Sequence, residues 1–242
     1  MKRSAAIVLI IFAAACDKSP APAAKTPDAA AAAPAAAAPA AAVAVTAAPT
    51  PGGLTHPDAA KVTAAGPDSF SVHVVTSRGP FDLKVHRDWS PKGADRVYYL
   101  VANNFYDGIR FFRVLDGFMA QFGMPGDPAI GRVWRDRGID DEPVKHSNTR
   151  GTLSFAAAGP NSRTTQLFIN FHDNAQLDGM NFAPFAEVTN GMQVVDSIYK
   201  GYGETPDQGR IGAQGNAYLA HDFPKLDSIV TARVSQEWKK GN

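Results

Sequence analysis

Two stretches of the chain alternate apolar and polar residues without a break. Phe70, Val72 and Val74 alternate with Ser71 and His73, and Phe81, Leu83 and Val85 alternate with Asp82, Lys84 and His86. A period of two puts one face of each stretch in a core, which predicts two half-buried strands joined through the turn residues Ser77-Arg78-Gly79-Pro80. The period then changes. Ser90 is a suitable N-cap, Pro91 a suitable first helical residue, and Ala94, Val97 and Val101 share one face before Asn103-Asn104 ends the helix. Further strands are predicted at Arg110–Leu115, Phe118–Phe122, Gly151–Ala156, Gln166–Asn170, Phe182–Val188 and Ser228–Val234. A second helix is predicted over Met192–Tyr199, where Val194, Val195, Ile198 and Tyr199 recur at helical spacing. Many short strands with few helices predict a mainly β domain, an eight-stranded antiparallel closed barrel capped by two α-helices.

The pattern is different at the N-terminus. Met1, Lys2 and Arg3 make a positive start, and Ala5 to Ala15 is an unbroken apolar run. About twenty residues are needed to span a bilayer, so this shorter run reads as the apolar region of an export signal. It ends at Ala13-Ala14-Ala15-Cys16, which resembles the lipobox of bacterial lipoproteins except that Ala13 stands where Leu is usual. The resemblance implies a signal peptide over residues 1–16 and a lipid on Cys16. An ordinary cleaved signal with an incidental cysteine is the alternative. Asp17 resembles the retention signal that keeps enteric lipoproteins at the inner membrane, so the expected location is the periplasmic side of a bacterial envelope, with the inner membrane favoured over the outer.

Residues 21–50 hold 18 alanines and 5 prolines and almost no large apolar side chain. Such a segment cannot bury enough surface to offset the entropy of ordering, and its prolines cut any helix into pieces too short to persist in water. Residues 17–66 are therefore expected to be a solvated linker, 67–236 the folded domain and 237–242 a tail.

Composition removes several functions. With 24 basic and 23 acidic residues the chain lacks the basic excess of a nucleic-acid binder. Cys16 is the only cysteine, so no intramolecular disulfide can form, and the six histidines show no metal-ligand spacing. No G-x-S-x-G elbow surrounds a serine, and Gly201-x-Gly203 lacks the third glycine of a dinucleotide loop. Asp140, Asp141 and Glu142 read as an acidic loop. The Gly-rich stretch Gly201 to Gly215 finds no account in the pattern.

Three segments remain. Phe111, Arg113, Gly117, Phe118 and Gln121 fit F-x-R-x-x-x-G-F-x-x-Q; Ala158 to Asn161, Gln166, Phe168 and Ile169 fit A-G-P-N-x-x-x-x-Q-F-F-I; and Leu177-Asp178-Gly179 precedes Phe185. In this order and spacing they resemble the signature segments of cyclophilins, the peptidyl-prolyl cis-trans isomerases, over about Ser69 to Val234. The resemblance implies that Arg113 is catalytic, that Phe118, Met119, Phe168 and Leu177 hold a proline ring, and that Gln121, Ala156, Ala157, Gln166 and Phe182 bind the adjoining peptide. It departs from the common pattern at Phe112, where His is frequent, at Ala157 for Asn, at Gln176 for an aromatic residue, at Asn181 or Phe182 for His, and in the stretch Gly201 to Gly215, an insertion relative to the simplest members of the family.

These residue types suit the reaction on physical grounds. Rotation about a peptide bond loses amide resonance and faces a barrier of about 18–20 kcal/mol, with no proton or nucleophile required. An apolar pocket that disfavours the charge-separated planar amide, with a guanidinium aimed at the imide nitrogen as its lone pair localises, would lower that barrier. No cofactor or metal is needed. The expected partners are proline-containing segments of exported or unfolded proteins, with the membrane engaged only through the lipid and the protein a monomer. The alternative is a cyclophilin-like module that binds a proline segment with little turnover, which a proline-peptide assay would separate from an enzyme.

Overall fold

The computed structural model describes residues 53–239. The expected signal peptide, Cys16, the linker up to residue 52 and the last three residues lie outside the described residues.

Eight strands form one sheet with every neighbouring pair antiparallel: β1 (Ser69–Thr76), β2 (Gly79–His86), β3 (Arg113–Leu115), β4 (Met119–Phe122), β5 (Thr152–Phe155), β6 (Leu167–Asn170), β7 (Pro184–Asn190) and β8 (Ile229–Trp238). Their spatial order is β3-β4-β6-β5-β7-β2-β1-β8. Each strand expected from the pattern is present within a few residues. In the first hairpin Phe70 faces Val85, Val72 faces Leu83 and Val74 faces Phe81, so the alternation of both strands delivers six apolar side chains to one core. The edge strands β3 and β8 share no ladder. Arg110 and Ser228 form an isolated bridge beside them, the Phe111 N–H donates to the Asp227 carbonyl at 3.0 Å, and the Ile229 N–H donates to the Ile109 carbonyl at 2.8 Å. The Gly108 N–H also donates to the Ile229 carbonyl at 2.8 Å, but no ladder of the kind expected for a closed barrel joins the two edges.

The helices depart further from expectation. Where the pattern predicts two, the described residues carry α1 (Ala59–Val62), α2 (Pro91–Ala102), α3 (Pro128–Arg135), α4 (Met192–Asp196), α5 (Gln208–Gln214), α6 (Asn216–Asp222) and a 3-10 helix over Ala175–Met180. Helix α2 buries Ala94, Val97 and Val101 as expected, together with Leu100. Its cap is not the expected one. Ser90 makes no side-chain capping bond; the Glu142 carboxylate takes that place, accepting from the Lys92 N–H at 2.6 Å and the Gly93 N–H at 3.1 Å. The acidic loop is thus the capping element of a helix fifty positions earlier.

Two boundaries also move. Residues 53–66, expected in the linker, pack on the domain: Leu54 and Val62 are buried, the Trp134 indole N–H donates to the Leu54 carbonyl at 3.0 Å, and the Gly66 N–H donates to Asp95 at 2.9 Å. Each buried aliphatic side chain is worth about 1.5–3 kcal/mol of transfer from water, enough to hold a short segment in place. At the other end Glu237 and Trp238, expected in a tail, pair with Phe70 and Ser69 in β8.

The Gly-rich stretch has a structural account. It ends in α5, and α6 follows directly; Ile211 of α5, Tyr218 and Leu219 of α6, and Phe223 and Leu226 beyond it form a second apolar cluster with Phe112. Gly215 joins the two helices at φ 59°, and a Cβ there would stand 2.0 Å from the Gly126 carbonyl oxygen, so only glycine allows the contact. Phe112, in place of the usual His and just before β3, is the side chain that joins this cluster.

Candidate active site

Alternation along three short strands builds the site. On β4, Ala120 and Phe122 enter the main core, leaving Met119 and Gln121 on the other face; on β6, Leu167 and Ile169 enter it, leaving Phe168; on β3, Val114 enters it, leaving Arg113. The ladders then align these outward residues, because Arg113 pairs with Gln121 and Gln121 pairs with Phe168. Register alone places cation, amide and aromatic ring in one row across the sheet.

This row borders a cleft of about 340 Å³. All ten residues expected at the site line it: Arg113, Phe118, Met119, Gln121, Ala156, Ala157, Gln166, Phe168, Leu177 and Phe182. Met119, Phe168 and Leu177 form a small apolar cluster of their own, flanked by Phe118, Ala156 and Phe182. The Phe182 ring meets Phe168 edge-on at 5.7 Å, so of the two residues that replace the usual His it is Phe182 that faces the cleft. Asn181 is exposed in a left-handed conformation, and Gln176 is exposed on the 3-10 helix. Ala158, Ser162, Thr164 and Gln208 also line the cleft; none was expected at the site, although Ala158 opens the second signature segment.

Arg113 is held from two sides. Its Nη1 donates to Gln121 Oε1 at 3.4 Å, and Gln121 in turn donates to Gln166 Oε1 at 2.8 Å. Its Nε and Nη2 both donate to Glu204 Oε2 at 3.1 Å. A guanidinium has five N–H groups, so these contacts leave two at the far end of the fork.

The apolar floor rests on a buried amide network. Asn148 donates to Asp178 at 2.7 Å and to the Phe182 carbonyl at 2.7 Å, and it accepts from Ser154 at 2.8 Å. Asn174 donates to Asn170 at 2.8 Å and to the Phe118 carbonyl at 3.0 Å. The Leu177 N–H donates to the Asn174 carbonyl at 2.9 Å, so Phe118, Leu177 and Phe182, which carry the floor, are tied together through the buried side chains of Asn148, Asn170 and Asn174. Burial would raise the Asp178 carboxyl, but hydrogen bonds from the Ser147 hydroxyl and from the Asn148 amide and N–H hold it below its ordinary value.

The opposite wall, residues 157–166, is held by two buried arginines. Arg96 donates to the Arg137 and Thr164 carbonyls at 2.7 and 3.0 Å, and burial lowers its pKa to about 10. Arg163 pairs with Glu142 at 3.1 Å and donates to the Asp140 carbonyl. None of these buried polar residues was singled out from the sequence as belonging to the site. Among the described residues no group of three or more His, Cys, Asp or Glu side chains is placed to hold a metal ion, and no histidine lines the cleft.

The chain as a whole is similar to known proteins. Residues 71–214 match the family model of cyclophilin-type peptidyl-prolyl cis-trans isomerases. The chain is 34% identical over 144 residues to peptidyl-prolyl cis-trans isomerase CYP18-1 of Arabidopsis thaliana, covering 57% of this chain and 89% of that protein. It is 33% identical over 176 residues to peptidyl-prolyl cis-trans isomerase B of Escherichia coli, covering 67% of this chain and 97% of that protein. The fold is similar to that of a Cryptosporidium parvum cyclophilin, with a TM-score of 0.52 at 21% identity over 70% of this chain and 99% of that one. The matched segment contains the whole row from Arg113 to Phe168, and the chain belongs to the cyclophilin-type peptidyl-prolyl cis-trans isomerase family.

Proposed function

We propose that this protein accelerates cis-trans rotation about X-Pro bonds in exported proteins, with Arg113 as the catalytic donor. The observation that carries the reading is the cross-strand row in which Arg113, Gln121 and Phe168 stand side by side at the rim of an apolar cleft. A proline ring seated on Met119, Phe168 and Leu177 puts its imide bond near the guanidinium. The two uncommitted N–H groups of Arg113 then meet the imide nitrogen as it becomes pyramidal and basic, while the planar ground state offers that nitrogen no lone pair to accept with. The bond is therefore made mainly at the transition state, which is the condition for catalysis. The apolar floor acts in the same direction, since the charge-separated amide is poorly solvated there. One well-placed donor of this kind is worth about 3–4 kcal/mol, or 10²–10³ in rate.

A proline segment as ligand is supported by a related structure, the Cryptosporidium parvum cyclophilin in the presence of the dipeptide Ala-Pro. We read the sheet as a barrel sealed at the bonds joining 109–111 to 227–229, which fix β3 and hence Arg113. Cys16 as a lipid anchor, a location on the periplasmic side of the envelope and a monomeric state complete the reading; they rest on the sequence pattern of the first seventeen residues and on a fold in which no copy of the chain is needed to complete the cleft.

A protease-coupled assay on a proline tetrapeptide tests the function. Acceleration of the cis-to-trans phase in proportion to protein concentration is expected. Binding of the peptide without acceleration would replace the enzyme with a proline-segment binding module.

A further inference from the structure

Arg113 is the one charged residue among those lining the cleft, and a lone cation at the rim would favour peptides with acidic flanks. The segment before α5 sets a carboxylate, Glu204, against that cation. The Val114 N–H on the free edge of β3 donates to the Gly203 carbonyl at 3.0 Å, and turns at Lys200–Gly203 and Tyr202–Thr205 fix the backbone on either side. Tyr202 packs edge-on against both Tyr199 and Phe223, and Lys200 pairs with Asp116 at 2.6 Å. Glu204 is thus delivered to Arg113 by a loop bolted to the same strand. Its side chain remains 67% exposed while that of Arg113 is 28% exposed, so Oε2 engages Arg113 just outside the cleft lining while most of the carboxylate stays accessible to solvent beside the rim.

We propose that Glu204 is a specificity-determining residue, which neutralises the charge of Arg113 at the rim and selects proline segments with a basic residue beside the proline over those with an acidic one. The inference rests on the isomerase reading of the cleft and extends it to the class of substrate. It assigns a function to the Gly-rich insertion, which stability alone would not require to carry a carboxylate. Gln208 on α5, also lining the cleft, places the same insertion along the peptide path. Charge pairs this exposed shift an equilibrium by roughly two- to fivefold and are screened by salt.

The test uses proline peptides that differ only in Lys, Ala or Glu, placed in one set before the proline and in another after it. Wild-type protein is expected to favour the Lys peptide over the Glu peptide by roughly two- to fivefold in kcat/KM at low salt, with the ratio collapsing toward one at about 0.5 M salt. Glu204→Gln should invert the ratio and Glu204→Asp should keep its sign. An unchanged ratio in Glu204→Gln, or no charge preference in the wild type for either set, overturns the proposal. If no peptide is turned over, the isomerase reading fails separately, and the same ratios taken as Kd values by NMR titration still decide whether Glu204 selects charge.

Discussion

Glu142→Ala is the perturbation that most directly connects the acidic loop, helix α2 and the wall of the cleft. The carboxylate receives the Lys92 and Gly93 N–H groups, the Ser90 hydroxyl and the Arg163 guanidinium, and the side chains of Arg163 and Glu142 are 2% and 7% exposed. Removing one partner of a buried ion pair costs about 3–5 kcal/mol, because the other charge remains without water or counter-ion. The lost helix cap, worth about 1 kcal/mol alone, belongs to the same carboxylate and overlaps with that figure. Asp141, 3.7 Å from Arg163 Nε and 29% exposed, takes over part of the role, so the lower end applies and a loss of about 3–4 kcal/mol is expected. For a domain of this size that corresponds to a fall in Tm of roughly 6–16 °C. Arg163→Met should cost less, about 1–3 kcal/mol, since Glu142 keeps its two backbone donors at the helix start. Urea unfolding followed by circular dichroism measures both. Since Ser162 and Thr164 line the cleft on either side of Arg163, KM should also rise in Glu142→Ala under conditions where the protein remains folded. A Glu142→Ala variant within about 1 kcal/mol of wild type would refute the assignment of Glu142 as cap and counter-ion.

Leu177→Ala removes a buried member of the proline pocket; a stability loss of about 2–3 kcal/mol and at least a tenfold fall in kcat/KM are expected, from urea unfolding and the peptide assay. The carboxyl of Asp178 is lowered in the folded state, so its contribution is fully present above its unfolded value near 4 and is lost as pH falls through the folded value; the urea midpoint should hold above about pH 5 and decline below about pH 4. Turnover, by contrast, should be nearly flat between about pH 6 and 8, because guanidinium groups carry their charge throughout that range and no histidine lines the cleft. Cys16→Ser should release the protein from membranes into the soluble fraction, since acyl chains are the only anchor expected of the mature chain, and mass spectrometry finding no lipid on Cys16 of the wild type would contradict it.

What could be read from the chain followed the range of the interaction concerned. Strict alternation at Phe70–Val74 and Phe81–Val85 is a local signal, and the hairpin it predicts forms with the expected faces inward. Ten of the fourteen residues that line the cleft were legible because they sit in three short segments whose spacing is itself a pattern. The capping of α2 was not, because Ser90 has the right chemistry at the right place and only the fold brings Glu142 close enough to displace it. Helix α3 carried a local signal that went unread, with Asp127 accepting from the Ala129 N–H and Pro128 at its first position. Helix α5 was hidden by Gly209 and Gly212, which lower helix propensity; its packing in the cluster with Phe112 outweighs them. Glu204 meets Arg113 across 91 positions, a distance over which no period or propensity carries information.

The central claim is that Arg113 donates to the imide nitrogen at the transition state, and the most direct measurement is kcat/KM for Arg113→Ala against wild type on one proline peptide. Peptide affinity should be followed in parallel by NMR titration and the fold by circular dichroism. The account predicts a fall of at least tenfold, of order a hundredfold, carried by kcat, with Kd changed by only a fewfold and the fold intact, because the bond removed exists mainly when the amide is twisted. A folded Arg113→Ala protein that turns over the peptide at the wild-type rate, or one whose loss lies entirely in affinity, would contradict it.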